Sequence, residues 1–216
     1  MMEHARADRS AADLRAKLPI AAHEYVARLL AVHPVDVRLS RPRRSRLGDH
    51  RGPTPAVPRH RISVNDDLNP YAFLTTLLHE LAHAATWERH ARRIRRLRPH
   101  GPEWKAEFER ILRPVVAEEM MPADVTVALA HSLARPTAAT CSDRRLMLAL
   151  ARYDADDGGG VFVESLAAGA VFRTDAGRVF RLGPRLRSRY RCVERATGRE
   201  YRFHGLCRVV PEPTGR

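Results

Sequence analysis

One segment with a strong helical pattern constrains the fold of this chain more than any other. Asn69 and Pro70 are a favourable N-cap and first helical residue, and residues 71–89 contain neither glycine nor proline. Leucines recur with the i, i+3, i+4, i+7 spacing of a helix that packs one face against a core, at Leu74, Leu77, Leu78 and Leu81. The sequence therefore predicts a long, partly buried helix over residues 70–89.

The same helix carries the pattern H-E-x-x-H, formed by His79, Glu80 and His83. Residues four apart project from one helix face, so both imidazoles can reach one zinc ion at about 2.0–2.1 Å. Glu80 lies one position round the helix, where a carboxylate can deprotonate water at the metal. Metzincins need glycine and histidine where Thr86 and Arg89 stand, which excludes that class. The pattern predicts a zinc-peptidase site of another class.

A third metal ligand has to come from elsewhere in the chain, because catalytic zinc usually takes three protein ligands. His100 is the best candidate, since Gly101 lets the chain turn and Pro102 can begin a second helix. That helix would place His100 at its mouth, facing the first helix. Glu103 and Glu107 are the alternatives, because some zinc peptidases take a glutamate from a second helix.

Two motifs together resemble a known family, the SprT-like family of zinc metalloprotease domains. The resemblance rests on the segments 79–87 (HELAHAATW), 100–105 (HGPEWK), 45–48 (SRLG) and 60–65 (HRISVN). It covers about residues 10–113 and implies an α+β, zincin-like fold of helices and a small sheet. It also implies that one zinc ion is bound by His79, His83 and His100. Glu80 would be the catalytic base and a protein or peptide the substrate.

Before the HExxH helix the sequence predicts an interrupted helix and two strands. Residues 11–32 have helical spacing with a break near Pro19, and residues 35–39 and 61–65 alternate like strands. In zincins the strand before the motif helix commonly pairs with an extended substrate. By that analogy, residues 62–64 are expected to bind the substrate.

The pattern changes after Pro114. Residues 115–150 have a mostly helical pattern that is broken by prolines, and residues 154–160 form an acidic and glycine-rich turn or linker. From Val161 onward, short β-branched and aromatic segments predict a small antiparallel, barrel-like sheet. The predicted organisation is a SprT-like zinc metalloprotease domain (1–113), a helical connector (114–153) and a small β-rich C-terminal subdomain (154–216).

The cysteines depart from the family pattern, in which a C-terminal zinc ribbon with paired C-x-x-C motifs is common. This chain has only Cys141, Cys192 and Cys207, so a four-cysteine site cannot form and one zinc ion is expected. A site that combines His204 with two of these cysteines is a weaker interpretation than a packed sheet. The residues at the N-terminus form no apolar region, and no apolar run is long enough to span a membrane. Free thiols in the cytoplasm are therefore expected.

The formal net charge is +13, and arginine carries almost all of it, since Lys17 and Lys105 are the only lysines. Arginine binds phosphate in a bidentate manner, so DNA or another polyanion is an expected partner. One cluster precedes His100 and contains Arg92, Arg93, Arg95 and Arg96. The second is a strict alternation of Arg185, Arg187, Arg189 and Arg191, which on a strand would place every guanidinium group on one face. A solvated surface explains the second cluster equally well, and the first could instead select acidic peptides.

Two functions compete on these grounds. The first is a metallopeptidase that acts on DNA-associated proteins. The alternative is a nucleic-acid-binding module without peptidase activity, in which the metal is structural. The intact Glu80 favours hydrolysis, because a structural metal site has little need of a carboxylate there. Tyr71 and the arginines of residues 92–98 are the candidates for stabilising an oxyanion.

Overall fold

The computed structural model describes residues 12–43, 46–133, 143–155, 160–187 and 189–213. Contacts divide the chain into two units, Met1–Tyr153 and Asp154–Arg216. The first unit combines helices with a three-stranded sheet, and the second is built mainly of strands. The predicted α+β class is thereby confirmed.

The helices of the first unit follow the predicted pattern. They are α1 (residues 12–16), α2 (His23–Val32), α3 (Pro70–His90), α4 (Pro102–Ala117), α5 (Ala123–Leu133) and α6 (Arg144–Ala151). The break near Pro19 is confirmed, because a short 3-10 turn over Ile20–Ala22 separates α1 from α2. Among the described residues, none of these helices is both long and apolar enough to cross a bilayer.

Helix α3 begins at the cap that the sequence predicts. The Asn69 side-chain oxygen accepts hydrogen bonds from the backbone N–H groups of Tyr71 and Ala72, at 3.0 and 2.9 Å. The side-chain amide of Asn69 donates to the carbonyl of Leu150 at 3.0 Å, which joins α3 to α6. A cap of this kind stabilises a helix by about 1 kcal/mol. Asn69 therefore fixes both the start of α3 and the docking of a distant helix.

The sheet of the first unit contains β1 (Val35–Ser40), β2 (Gly48–Arg51) and β3 (His60–Asn65), in the order β1-β3-β2. Strand β3 runs parallel to β1 and antiparallel to β2. Because β3 is paired on both sides, it has no free edge for a further strand. The prediction that residues 62–64 bind an extended substrate is therefore wrong. The edge beside α3 belongs to β2, which the sequence pattern did not predict.

The core of the first unit surrounds α3. Fully buried leucines of α3 pack with side chains of α4, and Ile62 and Val64 of β3 are buried against the same cluster. The Tyr25 hydroxyl on α2 donates to the Ile111 carbonyl on α4 at 2.6 Å. Residues 114–153, predicted as a connector, add Val125 and other side chains of α5 and α6 to this core. The core thus holds α3 rigidly from several sides.

The second unit is one antiparallel sheet around a small apolar core. Its strands are β4 (Val161–Phe162), β5 (Val171–Arg173), β6 (Val179–Arg185), β7 (Arg189–Glu194), β8 (Glu200–His204) and β9 (Arg208–Pro211). The order is β4-β9-β5-β6-β7-β8, so the last strand returns to pair with β5. The core contains Val163, Phe172, Phe180, Leu182, Cys192 and Val209. Strand β9 was missed by the sequence analysis.

Candidate metal centre

Three histidines from two parts of the chain converge beside α3. The Nε2 atom of His100 lies 3.0 Å from Nε2 of His79 and 3.1 Å from Nε2 of His83. The ligand atoms of all three lie within 4.8 Å of one another. Tetrahedral zinc with Zn–N distances of about 2.0–2.1 Å places its ligand nitrogens about 3.3 Å apart. The three imidazoles therefore fit one metal ion, and within the described part of the chain no other group of His, Cys, Asp or Glu side chains does.

The backbone at His100 has an uncommon conformation that turns its side chain toward α3. Its φ angle is +57°, in the left-handed region, which histidine adopts more readily than most residues other than glycine. The N–H of Gly101 donates to the Arg98 carbonyl at 2.9 Å and closes the turn. A Cβ atom at Gly101 would lie 2.9 Å from that carbonyl oxygen. The glycine is therefore needed for the tight turn that precedes α4.

The two glutamates that competed for the third ligand position are paired with arginines instead. Glu107 is buried, and its carboxylate lies 2.7 Å from Arg89 Nε and 2.9 Å from a guanidinium nitrogen of Arg110. Glu103 lies 3.7 Å from Arg93. Neither belongs to the converging group. The geometry thus selects the histidine as the third candidate ligand.

Trp104 on α4 forms an aromatic wall behind the three histidines. Its ring centroid lies 4.7, 5.4 and 4.6 Å from those of His79, His83 and His100. Phe108, one turn further along α4, stacks on Trp104 at 4.8 Å. Both aromatic side chains are buried. The wall limits the orientations of the imidazole rings and keeps water away from that side of the site.

Burial keeps the histidines in the form that binds a metal. Burial, with a smaller contribution from neighbouring imidazoles, lowers the pKa of His79 and of His83 to about 3. Burial also lowers the pKa of His100. At neutral pH the three imidazoles are therefore uncharged, and each can offer a nitrogen lone pair.

Glu80 lies under β2, beside the histidines. Burial, aided by the charge of Asp49 and opposed by Arg43 and Arg46, raises its pKa to about 7. A Cβ atom at Gly48 would lie 2.6 Å from the Glu80 Oε1 atom, so the carboxylate is in close contact with the backbone of β2. A carboxyl group that titrates near neutrality is suited to accept and return a proton.

The two candidates for stabilising an oxyanion differ in their positions. Tyr71 packs edge-on against Tyr153, with ring centroids 4.7 Å apart. It precedes His79 by eight residues, about 12 Å along the helix axis, which places it away from the histidines. The arginine segment, residues 91–98, forms an exposed 3-10 turn over Ala91–Arg96 that leads directly to His100. Arg92, Arg93, Arg95 and Arg96 lie there on the surface.

The four alternating arginines of residues 185–191 do not lie on one strand, so the shared face that such a strand would give them does not form. Arg185 ends β6 and Arg189 begins β7, so Arg187 lies in the turn between them. The N–H of Leu186 donates to the Arg189 carbonyl at 2.7 Å, and Arg185 is the cross-strand partner of Tyr190. The alternating sequence therefore folds into a hairpin, and its four guanidinium groups do not line one strand.

The register of the sheet creates a different basic surface, which we call the outer sheet face. Arg191 on β7 lies opposite Arg202 on β8, and Arg181 on β6 lies opposite Val193 on β7. Cross-strand partners and alternate residues share a face, so these arginines lie on one face with Arg189. The four exposed members are Arg181, Arg189, Arg191 and Arg202.

The cysteines give no sign of a second metal site in the described residues. Cys192 is buried, Cys207 is half-buried, and both are free thiols. Neither joins His204 in a converging group of ligand atoms. Cys141, and the Ser45 that contributes to the family resemblance, lie outside the described residues.

Sequence analysis missed the contribution of β2, because Gly-Asp-His-Arg has few residues that favour strands. A signal was nevertheless present. Gly48, His50 and Gly52 alternate, which places one side chain between two glycines on the same face of an extended segment. His50 stacks on His83, with centroids 5.8 Å apart and rings inclined by 15°.

In the comparison with known proteins, the part of the chain that matches is the part that contains the candidate metal centre. No curated protein and no solved structure shows a significant match to the chain. The sequence model of the SprT-like family matches residues 21–128, which is half of the chain and includes the HExxH helix, the turn at His100 and α4. With three imidazoles and a buried glutamate within this range, the chain belongs to the SprT-like family.

Proposed function

We propose that the protein is a zinc-dependent peptidase whose site is formed by His79, His83, His100 and Glu80. The observation that carries the proposal is the convergence of three imidazole Nε2 atoms, at 3.0 and 3.1 Å, beside a buried carboxylate. Three neutral imidazoles are a donor set that suits zinc and leaves a fourth position for water or substrate. Membership of the SprT-like family supports a metalloprotease-type domain.

Each residue of the site has a different role in the proposed hydrolysis. A bound zinc ion would act as a Lewis acid toward water and the peptide carbonyl. Glu80 accepts a proton from the attacking water and returns it to the leaving amine, as a general base and then a general acid. The pKa near neutrality, raised by burial, suits both steps. Trp104 and Phe108 keep the rear of the site dry.

An extended peptide fits along the free edge of β2. Strand β2 is paired on one side with β3, and its other edge is open in the described sheet. Gly48 lies directly over Glu80, and Gly52 lies over Trp87. A peptide that adds to this edge as a further strand would run past the Glu80 carboxylate. The substrate is therefore a protein segment that can become extended.

The proposed substrates are proteins associated with DNA. The net charge of +13 favours association with a polyanion. The exposed arginine segment leads directly to His100, so a phosphate bound there would lie near the site. The outer sheet face offers a second set of guanidinium groups. These features support binding of nucleic acid together with cleavage of the protein that it carries.

The test is cleavage of a DNA-bound basic protein by the wild type and by Glu80→Gln, each with measured zinc content, with and without single-stranded DNA. We expect Glu80→Gln to retain zinc and to lower kcat/KM by about 10²- to 10⁴-fold. The matched control is Glu109→Gln, since Glu109 is a carboxylate on α4 paired with Arg113 on the exposed surface. A zinc-loaded wild type that cleaves nothing under any condition would overturn the proposal.

A second candidate function is nucleic-acid binding without hydrolysis, and one observation favours it. Arg191, which also lies 3.5 Å from Glu200, is directly opposite Arg202 on an exposed sheet face, and a bound polyanion would stabilise this pair of like charges. This candidate predicts that Arg191→Glu with Arg202→Glu abolishes DNA binding and that Glu80→Gln has no effect on function. Loss of cleavage in Glu80→Gln would exclude it as the main function.

A further inference from the structure

Strand β2 lies across α3 with a single side chain between the two. Gly48, which begins β2, and Gly52, which directly follows it, approach α3 so closely that Cβ atoms would lie 2.6 Å from Glu80 Oε1 and 2.5 Å from the Trp87 ring. His50 shares their face of the extended chain, because alternate residues of a strand point the same way. Its ring stacks on His83, between these two contact points, at a centroid distance of 5.8 Å. On this face of β2, His50 is the residue whose side chain contacts a candidate metal ligand.

His50 is held from behind by a second histidine. Its Nε2 atom lies 2.9 Å from the Nδ1 atom of His60, which is the first residue of β3 and is 1% exposed. The His60 Nε2 atom lies 3.6 Å from Glu88 Oε1, and the other Glu88 oxygen accepts from His33 Nδ1 at 2.7 Å. His33, at the end of α2, is also buried. Four elements of the first unit thus contribute to one row of side chains that ends at His83.

The contact between His60 and Glu88 favours one order of the protons along this row. The His60 Nε2 atom faces an acceptor oxygen of Glu88 at 3.6 Å, a contact that favours hydrogen on that nitrogen. The Nδ1 atom of the same neutral ring then has a free lone pair, and it accepts the hydrogen on His50 Nε2. In this order His50 carries its hydrogen on Nε2, and its hydrogen bond to His60 limits the orientation of its ring.

The two helix histidines of the site are oriented in different ways. The Nδ1 atom of His79 is buried and has no hydrogen-bond partner in the described structure, so aromatic contacts with Trp104 and Phe108 hold that ring. His83 also contacts Trp104, but at a longer centroid distance of 5.4 Å, and it gains the parallel contact with His50. The orientation of His83 therefore depends on β2 as well as on α4.

We propose that His50, held by His60 and Glu88, is a positioning residue that orients the His83 imidazole for metal binding. The inference rests on the proposed zinc site and adds a function for three side chains outside it. His50 also links β2, the strand along which the substrate would lie, to the candidate metal ligand His83, because it belongs to β2 and contacts the His83 ring.

The test compares zinc affinity, measured by chelator competition, in the wild type, His50→Ala and His50→Phe. Residues that orient metal ligands typically contribute 10- to 100-fold in affinity or activity, so we expect His50→Ala to bind zinc about 10- to 100-fold more weakly. His50→Phe keeps a flat ring against His83 and is expected to recover most of this loss. The matched control is His204→Ala, because His204 is an exposed histidine of the second unit. The melting temperature of each metal-free variant is measured in parallel.

Several results would overturn the inference. One is that His50→Ala binds zinc as tightly as the wild type, and another is that His50→Ala and His50→Phe lose equal zinc affinity. The third is that metal-free His50→Ala is unfolded, because His50 would then have only a structural role. A wild type that does not bind zinc would instead overturn the proposed function.

A measurement on the wild type does not depend on how the variants fold. Nitrogen NMR of the metal-free protein distinguishes the two histidine tautomers, and we expect both His50 and His60 to carry hydrogen on Nε2. Hydrogen on Nδ1 of either ring would break the proposed row and overturn the inference.

Discussion

The two units of this protein place their polar side chains differently. In the first unit, His33, His60, His79, Glu80 and Glu107 are buried beside a large apolar core. In the second unit, Glu194 and the thiol of Cys192 are the buried ionisable side chains among the described residues, and the arginines lie on the surface. Burying a polar group is unfavourable unless it is paired, so five such residues in one region indicate a site with fixed geometry. Exposed arginines indicate, at most, a binding surface.

The largest effect is expected from a core substitution in the second unit. Phe172 is fully buried and contacts Phe180 and Phe203, so Phe172→Ala should cost about 3–5 kcal/mol. That is similar to the entire stability of a domain of this size, about 3–5 kcal/mol, so the second unit should unfold. The first unit has a separate hydrophobic core and should keep its zinc affinity.

Urea unfolding can follow the two units separately. Both tryptophans, Trp87 and Trp104, lie in the first unit and report on it by fluorescence, while amide hydrogen exchange reports on the second. Loss of zinc binding in Phe172→Ala would contradict the independence of the two cores.

The second prediction compares two glycine substitutions, one in each unit. In Gly48→Ala the new Cβ atom would lie 2.6 Å from Glu80 Oε1 and 2.8 Å from Thr76 Cγ2. Overpacking of this kind costs about 1–3 kcal/mol. Displacement of Glu80 should also lower kcat/KM by about 100-fold. Peptide cleavage and thermal unfolding measure the two effects.

Gly177→Ala is the control for this substitution. Gly177 has a φ angle of +75° and open space around its α-carbon, so alanine should cost about 1–2 kcal/mol through backbone strain alone. Peptide cleavage should be unchanged. Equal activity of the two variants would show that β2 does not position Glu80.

The third prediction concerns pH. In each unit one carboxyl group has a shifted pKa, which is raised in the first unit and lowered in the second. A hydrogen bond from Arg178, with another from Thr197, lowers the pKa of Glu194 to about 2. Its contribution to stability is complete above the unfolded pKa of about 4.3 and is lost as pH falls toward 2. Burial raises the pKa of Glu80 to about 7, so its contribution to the stability of the metal-free first unit is complete below the unfolded pKa of about 4.3 and is lost as pH rises to 7. The lowered pKa values of buried His79 and His83 change the stability of the same unit in the opposite direction.

The melting temperature of each unit as a function of pH tests these signs. Glu194→Gln should flatten the acid limb of the second unit. Metal-free Glu80→Gln should gain stability relative to the metal-free wild type as pH rises from about 4.3 to 7, because the variant lacks the group that ionises. A difference between these two proteins that does not change with pH would assign the titration to another group.

The smallest effect is expected on the outer sheet face. Arg202 lies opposite Arg191, and like charges in such a pair destabilise a sheet, so Arg202→Thr should raise stability by about 0.2–1 kcal/mol. The same variant should bind single-stranded DNA more weakly, with a smaller dependence on salt. Chemical denaturation and a salt titration of DNA binding measure the two effects. Unchanged DNA binding would leave the outer sheet face as an ordinary solvated surface.

Much of the site was accessible from the sequence, because it depends on local rules. The N-cap, the proline at the first helical position and the leucine spacing together predict α3. A helix places His79 and His83 on one face without any help from the rest of the chain. The likeness of residues 100–105 to the SprT-like family indicated His100, whose Nε2 atom lies close to both. Strand β2 escaped prediction because its residues have little intrinsic preference for a strand.

The alternating arginines of residues 185–191 show the limit of predictions from local sequence patterns. Residues 185–191 alternate perfectly, yet the chain turns at Arg187, because β6 and β7 pair and a hairpin needs a turn there. The side chains that do share a face, such as Arg191 and Arg202, are eleven residues apart in the sequence. Periodicity predicts which way a side chain points along one strand, and only the register decides its neighbours.

The sequence by itself determined the HExxH helix, its cap, the helix that follows His100 and the strand-rich character of residues 161–211. These features follow from spacing and from turn residues, which act over a few positions. Only the tertiary structure decided that β2 rather than β3 is the open edge, that Glu103 and Glu107 pair with arginines, and that His50 contacts His83. Each of these depends on contacts between segments far apart in the chain, whose relative positions are set by the packing of the whole core.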